Sequence, residues 1–216
     1  MSFFSNLYQK RLLEDINKGG SIPQHLILVL MEKDLAIAQD LKRLKSFIEW
    51  CIDLDISILT IYVSILEDKE YTNRYVKMLE KRIIEEFAEL RVRGTIYSLK
   101  GAKTVIDNGE TQINFSLGLS GKKELINAVK EIIKQVDQKK LNSETIDEKT
   151  IEQHLIFKAE PDLVIRSGGS QLTDFLIWQS VYSELYFTDV IWQEFREIDL
   201  LRGIRDYQKR QRRFGR

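Results

Sequence analysis

PDLVIRSGGSQLTDFLIWQSVYSELYF, residues 161–187, carries both the fold class and the chemistry of this chain. An apolar, strand-like run through Leu163, Val164 and Ile165 ends in Arg166, Ser167 and the pair Gly168-Gly169, and a helix is predicted to open near Thr173 or Asp174. That order suits a diphosphate. Glycine lets the backbone approach an anion closely, N–H groups at a helix start point outward, and a guanidinium can fork two phosphate oxygens. Arg166, Gly168 and Gly169 are therefore candidate diphosphate-binding residues.

Upstream of this stretch, short β-like runs alternate with longer segments of helical period, the pattern of an α/β protein with a largely parallel sheet. Strands are predicted over His25 to Met31, Ile56 to Val63, Thr95 to Leu99, Gln112 to Leu117, Leu163 to Arg166 and Glu184 to Phe187. Helices are predicted over 34–54, 71–90, 122–136 and from Ile191 to the end. In the third of these Leu125, Val129, Ile132, Ile133 and Val136 fall on one face. The expected architecture is a single domain over residues 1–216, a central largely parallel sheet flanked by helices. Residues 1–20 make an amphipathic N-terminal helix and 191–216 a C-terminal helix with a basic tail.

The chain has 216 residues and 43% hydrophobic content, enough for a sizeable core. Lysine plus arginine equal aspartate plus glutamate at 33 each, so the overall charge offers no case for nucleic acid. The single Cys51 excludes an internal disulfide and reads as a core residue. No apolar run is long enough to span a bilayer and the first residues lack a signal pattern, so the expected address is the cytoplasm. Phe3, Phe4, Leu7, Leu12, Leu13 and Ile16 would line one side of the first helix. That side is expected to pack on the protein's own body, with peripheral contact at a membrane as the alternative. His25 and His154 are expected to be structural.

The PDLVIRSGG segment, the WQxxYSELYF continuation and the terminal RRFG together resemble the cis-prenyltransferases, typified by undecaprenyl diphosphate synthase. The resemblance is strongest from Pro161 to Gly215. It implies an enzyme that joins isopentenyl diphosphate to an allylic diphosphate with Mg2+, on a parallel sheet flanked by helices, working as a dimer. Carried over by position, Arg166 would hold isopentenyl diphosphate and Glu184 would help bind the metal. Arg213 and Gly215 would form the R-x-G tail that supports a diphosphate in the partner's site.

The sequence also departs from the family's pattern. Where the family has a metal-binding aspartate followed by G-N-G-R, this chain reads Met31-Glu32-Lys33-Asp34-Leu35. A thioether does not replace a carboxylate for magnesium, which needs hard oxygen ligands, so no catalytic residue is assigned. The motifs at 63–69 and 118–122 have diverged too, while the 178–187 segment and the tail are kept. This combination is similar to the accessory subunit of heteromeric cis-prenyltransferases, of the Nogo-B receptor type. The expectation is a non-catalytic subunit that completes a catalytic partner's site with its tail. The alternatives are a self-sufficient homodimer that uses Glu32 or Asp34 for metal, or a degenerate protein that only binds a prenyl lipid or phosphate.

Overall fold

The computed structural model describes residues 3–65, 69–98, 101–172 and 175–210. Helix α1 (Phe3–Lys18) leads into β1 (His25–Met31), a 3-10 turn (Glu32–Leu35) and α2 (Ala38–Asp53). Then come β2 (Ile58–Ser64), α3 (Lys69–Phe87), β3 (Val92–Ser98), β4 (Gly101–Asp107) and β5 (Thr111–Leu117). The remainder is α4 (Gly121–Asp137), α5 (Glu148–His154), β6 (Leu163–Ser167), β7 (Glu184–Thr188) and α6 (Glu197–Lys209).

Seven strands form one sheet in the order β4-β3-β5-β2-β1-β6-β7. Every pairing is parallel except β3 with β4, which is antiparallel. The run HLILVLM is apolar throughout because β1 lies mid-sheet and is covered on both faces. Leu26, Leu28 and Leu30 pack with Leu44 and Phe47 of α2, Leu79 and Ile83 of α3, and Leu201 and Ile204 of α6. Ile27 and Val29 point the other way, onto Tyr62, Leu119, Phe157, Phe175 and Leu176. Leu12 and Ile16 of α1 are buried in the first of these clusters, so the N-terminal helix does pack on the body of the protein. Cys51 is buried there as well, and burial pushes its thiol pKa up.

Three local expectations are corrected. The edge strand β4 and the short helix α5 were not foreseen; β4 is mostly exposed, with Ile106 its one buried residue and no regular alternation, and α5 starts at an Asp147 cap inside a polar stretch. The helix beginning at 34 instead starts at Ala38, after a turn whose Asp34 carboxylate accepts the Met31 N–H (2.8 Å).

The helix expected near Thr173 or Asp174 is the third correction. Those two residues lie outside the described ones, and 177–182 form turns. The Ser180 hydroxyl and the Ser180 N–H share the Leu176 carbonyl, at 2.8 and 3.2 Å, a side-chain competition that works against regular helix. The Gln179 amide is drawn away to Glu124 Oε2 (3.1 Å) and the Phe157 carbonyl (2.6 Å). The segment is also pressed onto the start of α4, where a Cβ at Gly121 would overlap the Phe175 carbonyl.

Candidate functional site

In an open parallel sheet, ligands bind beyond the carboxyl ends of the strands where neighbouring connections leave in opposite directions. Here β1 continues toward β2 on one side, while β6 and β7 lie on the other, so the crevice falls between β1 and β6. Arg166, one residue from the end of β6, sits opposite Val29 of β1. Val29, Met31 and Arg166 therefore project from the same face of the sheet, at the crevice.

Arg166 is buried, with 8% of its surface exposed. Its Nη1 donates to the Val29 carbonyl (3.2 Å) and to the Ser167 carbonyl (2.9 Å), so one corner of the guanidinium bridges the two strands. Nε and Nη2 have no acceptor among the described residues. They face Gly169, where a Cβ would lie 3.4 Å from Nη2. Burial lowers the Arg166 pKa from its ordinary value, and the negative charge of Asp34 works against that shift. Gly168 holds φ at +65°, a left-handed turn that glycine adopts without strain, and its N–H donates to the Thr188 carbonyl (3.0 Å).

These residues wall a pocket of about 210 Å³ lined by Lys33, Asp34, Arg166, Ser167, Gly168, Ile191, Trp192 and Gln193. Two cations and one carboxylate make it a place for an anion. Trp192 is fully buried, and its indole N–H has no acceptor among the described residues. Asp34 Oδ2 is occupied by the Met31 N–H, which leaves Oδ1 available.

The 32–36 loop is held from behind by α3. Tyr75 donates to the Glu32 carbonyl (2.6 Å), and Arg82 Nη1 donates to the Leu35 carbonyl (3.0 Å). Burial first, then the nearby Glu32, pushes the Tyr75 phenol up to about 12. Neither contact is legible in the sequence, because the carbonyls that Tyr75 and Arg82 reach lie more than 40 positions away in the chain.

The structure brings together Arg166, Gly168, Gly169 and Asp34, and does not bring Glu184 to them within one chain. Glu184 opens β7 opposite Leu163, at the far end of the strand from Arg166. Its carboxylate pairs with Arg210 (3.0 Å). Arg213 and Gly215 lie outside the described residues. Among the described residues no group of three or more His, Cys, Asp or Glu converges as a ready-made metal site. The donor set instead fits a magnesium held largely by diphosphate oxygens and a single carboxylate, a common arrangement for that ion.

His25 and His154 have structural partners. His25 Nδ1 meets the Glu160 carbonyl (3.0 Å) and Nε2 meets the Thr60 hydroxyl (2.8 Å). His154 contacts the Thr150 carbonyl and the Gln135 amide.

A largely parallel sheet with an arginine and two glycines at its switch point places this chain in the α/β class. Residues 31–215 match the family model described as "Putative undecaprenyl diphosphate synthase". The chain belongs to that family, the cis-prenyltransferases. Over an alignment 246 positions long it is 35% identical to the tritrans,polycis-undecaprenyl-diphosphate synthase (geranylgeranyl-diphosphate specific) of Thermococcus kodakarensis, covering 97% of this chain and 92% of that protein. The protein of the same name from Methanopyrus kandleri is 33% identical, with 96% and 90% covered. The fold is shared with the lavandulyl diphosphate synthase of Lavandula x intermedia, solved with dimethylallyl diphosphate (TM-score 0.71, 22% identity, covering 90% of this chain and 99% of that one). It is shared equally with a probable undecaprenyl diphosphate synthase from Campylobacter jejuni (TM-score 0.70, 22% identity, covering 91% and 100%).

Proposed function

We propose that this chain is a cis-prenyltransferase that condenses isopentenyl diphosphate with an allylic diphosphate such as geranylgeranyl diphosphate, yielding a polyprenyl diphosphate. The observation that carries this reading is Asp34 beside Arg166 in one pocket at the β1–β6 switch point. Although Met31 stands where the family's aspartate is expected, the following turn returns a carboxylate to the same mouth. Arg166 binds a diphosphate through Nε and Nη2, held in place by the two carbonyls that engage Nη1. Lys33 adds charge, and the bare backbone at Gly168 and Gly169 leaves room for the anion. Magnesium, where bound, would be held by Asp34 and would neutralise charge on the diphosphate. The hydrocarbon would enter the cleft of about 330 Å³ between α3 and the sheet, lined in part by Val76, Ile96 and Leu117.

Pairing of two chains would use the outer side of β7 and the 177–182 turn. There Ile177, Val181, Tyr182, Phe187 and Ile191 are each at least 40% exposed, a larger apolar surface than a lone chain usually leaves in water. Glu184 opens the same strand, which would bring its carboxylate near the partner chain.

The second reading is the non-catalytic subunit, and one observation favours it. Met31 supplies sulfur at the strand end, while one oxygen of Asp34 is committed to capping the Met31 N–H. In that reading Arg213 and Gly215 would complete the site of a partner that keeps the aspartate.

The test follows labelled isopentenyl diphosphate into butanol-extractable product, with geranylgeranyl diphosphate and magnesium present. On the first reading the chain alone is active. Asp34→Asn, which keeps an acceptor for the Met31 N–H, then lowers kcat/KM by about a hundredfold with little change in melting temperature. An inert chain that becomes active only when mixed with an aspartate-bearing family member, and loses that activity on Arg213→Ala, would establish the second reading instead.

A further inference from the structure

The apolar face of α4 is wider than the protein covers. Leu125, Val129, Ile132, Ile133 and Val136 form one stripe in the sequence, yet the inward side of the helix is Gly121, Glu124, Ala128 and Ile132. Ile126, Val129 and Ile133 are left 53%, 46% and 54% exposed. Spaced three and four residues apart, they make a continuous ridge along the outer surface of the helix. Single exposed aliphatic residues are ordinary, but a ridge of three on a helix already packed on its other side indicates a further partner.

Charge indicates which. Lys123, Lys130 and Lys134 run beside the ridge, all exposed, and Lys122 stands at its N-terminal end. Lys134 pairs with Glu131 (3.6 Å), whereas Lys123 and Lys130 have no acidic partner among the described residues. An aliphatic ridge flanked by lysines is the pattern of a helix that lies in the plane of a bilayer interface. The side chains enter the headgroup–acyl boundary and the long cationic stems reach back to anionic headgroups. A second copy of the chain is a poorer fit: a two-fold contact along the ridge would bring the lysines of one copy against those of the other. We infer that the outer face of α4 docks on an anionic lipid surface, with Ile126, Val129 and Ile133 inserted and Lys123 and Lys130 against the headgroups.

This face is distinct from that of α1, whose exposed Leu7 and Leu13 provide an internal comparison. The experiment is co-sedimentation of the full chain with vesicles of phosphatidylcholine alone and with vesicles containing about one-third phosphatidylglycerol. Binding is expected only to the latter and should weaken as salt is raised. The triple variant Ile126→Ser, Val129→Ser, Ile133→Ser should lose about tenfold or more in partition coefficient, with its melting temperature kept. Lys123→Glu with Lys130→Glu should do the same by charge alone, whereas Leu7→Ser with Leu13→Ser should leave binding unchanged. The inference is overturned if the wild type does not sediment with anionic vesicles, or if the α1 pair and not the α4 triple abolishes binding. It is also overturned if the α4 triple changes only self-association in analytical ultracentrifugation.

Discussion

Gly169 bears on the site through the carbon it lacks. A Cβ there would sit 3.4 Å from Arg166 Nη2 and 3.6 Å from Nε, the two nitrogens left for a ligand. At that spacing alanine makes an ordinary van der Waals contact, so the fold accommodates it while the methyl covers the donors. Gly169→Ala is therefore expected to keep wild-type stability, or gain about 0.4–1 kcal/mol from a less flexible unfolded chain, and to lose about tenfold in affinity for inorganic diphosphate. Calorimetric titration beside a thermal melt separates the two effects; wild-type affinity would show that Nη2 and Nε are not the anion's donors. Arg166→Lys is expected to weaken binding at least as much, because a point charge on a flexible stem cannot bridge the Val29 and Ser167 carbonyls and also fork an anion. The sequence marked Arg166 out by its place at the end of an apolar run before two glycines. Its partner Val29 could not be seen there, since the two are 137 positions apart.

Strand-level order depends on a buried polar chain that crosses three strands. Gln112 donates to Asn114 on β5, Asn114 to the Thr60 hydroxyl on β2, and Thr60 meets His25 Nε2 on β1. With the Glu160 carbonyl accepting from Nδ1, His25 is satisfied in its neutral form, and burial holds its pKa below the ordinary value. The unfolded chain takes up a proton near the ordinary histidine pKa of about 6.5, while the folded chain resists it. Stability is therefore expected to fall as pH drops from that value through the lower folded one. His25→Gln should cost about 1–3 kcal/mol at neutral pH through broken bonds and should remove this part of the pH dependence. Denaturant titrations at several pH values check both, and an unchanged slope in the variant would assign the pH dependence to other groups. Helix α4 teaches a related lesson: its periodicity was plain, but periodicity alone could not say that Val129 and Ile133 would stay outside while Ile132 went in.

For the whole molecule, the seven-stranded order sets what each edge can do. β4 closes one edge as an antiparallel hairpin arm, and β7 forms the other beside the exposed 177–182 turn. If chains pair at that second edge, Val181→Asp with Tyr182→Asp should shift sedimentation from dimer toward monomer. Both side chains are more than half exposed, so the fold should survive the change. A buried charge without a partner costs several kcal/mol at an interface. An unaltered sedimentation coefficient would place the pairing surface elsewhere. Activity measured on the same variants shows whether the β1–β6 pocket works without a neighbour.

Apolar runs, helical period and the Arg166-Ser167-Gly168-Gly169 sequence were enough to establish an α/β class, most strand positions and a candidate anion site. Those signals come from neighbours in the chain, where pleat, helical repeat and glycine freedom act over a few residues. The meeting of Asp34 with Arg166, the removal of Glu184 to the opposite strand end and the replacement of a helix by turns at 177–182 were decided only by tertiary structure. Each depends on how β1, β6 and the start of α4 come together across more than a hundred residues of chain, and burial and side-chain hydrogen bonds there override local preference.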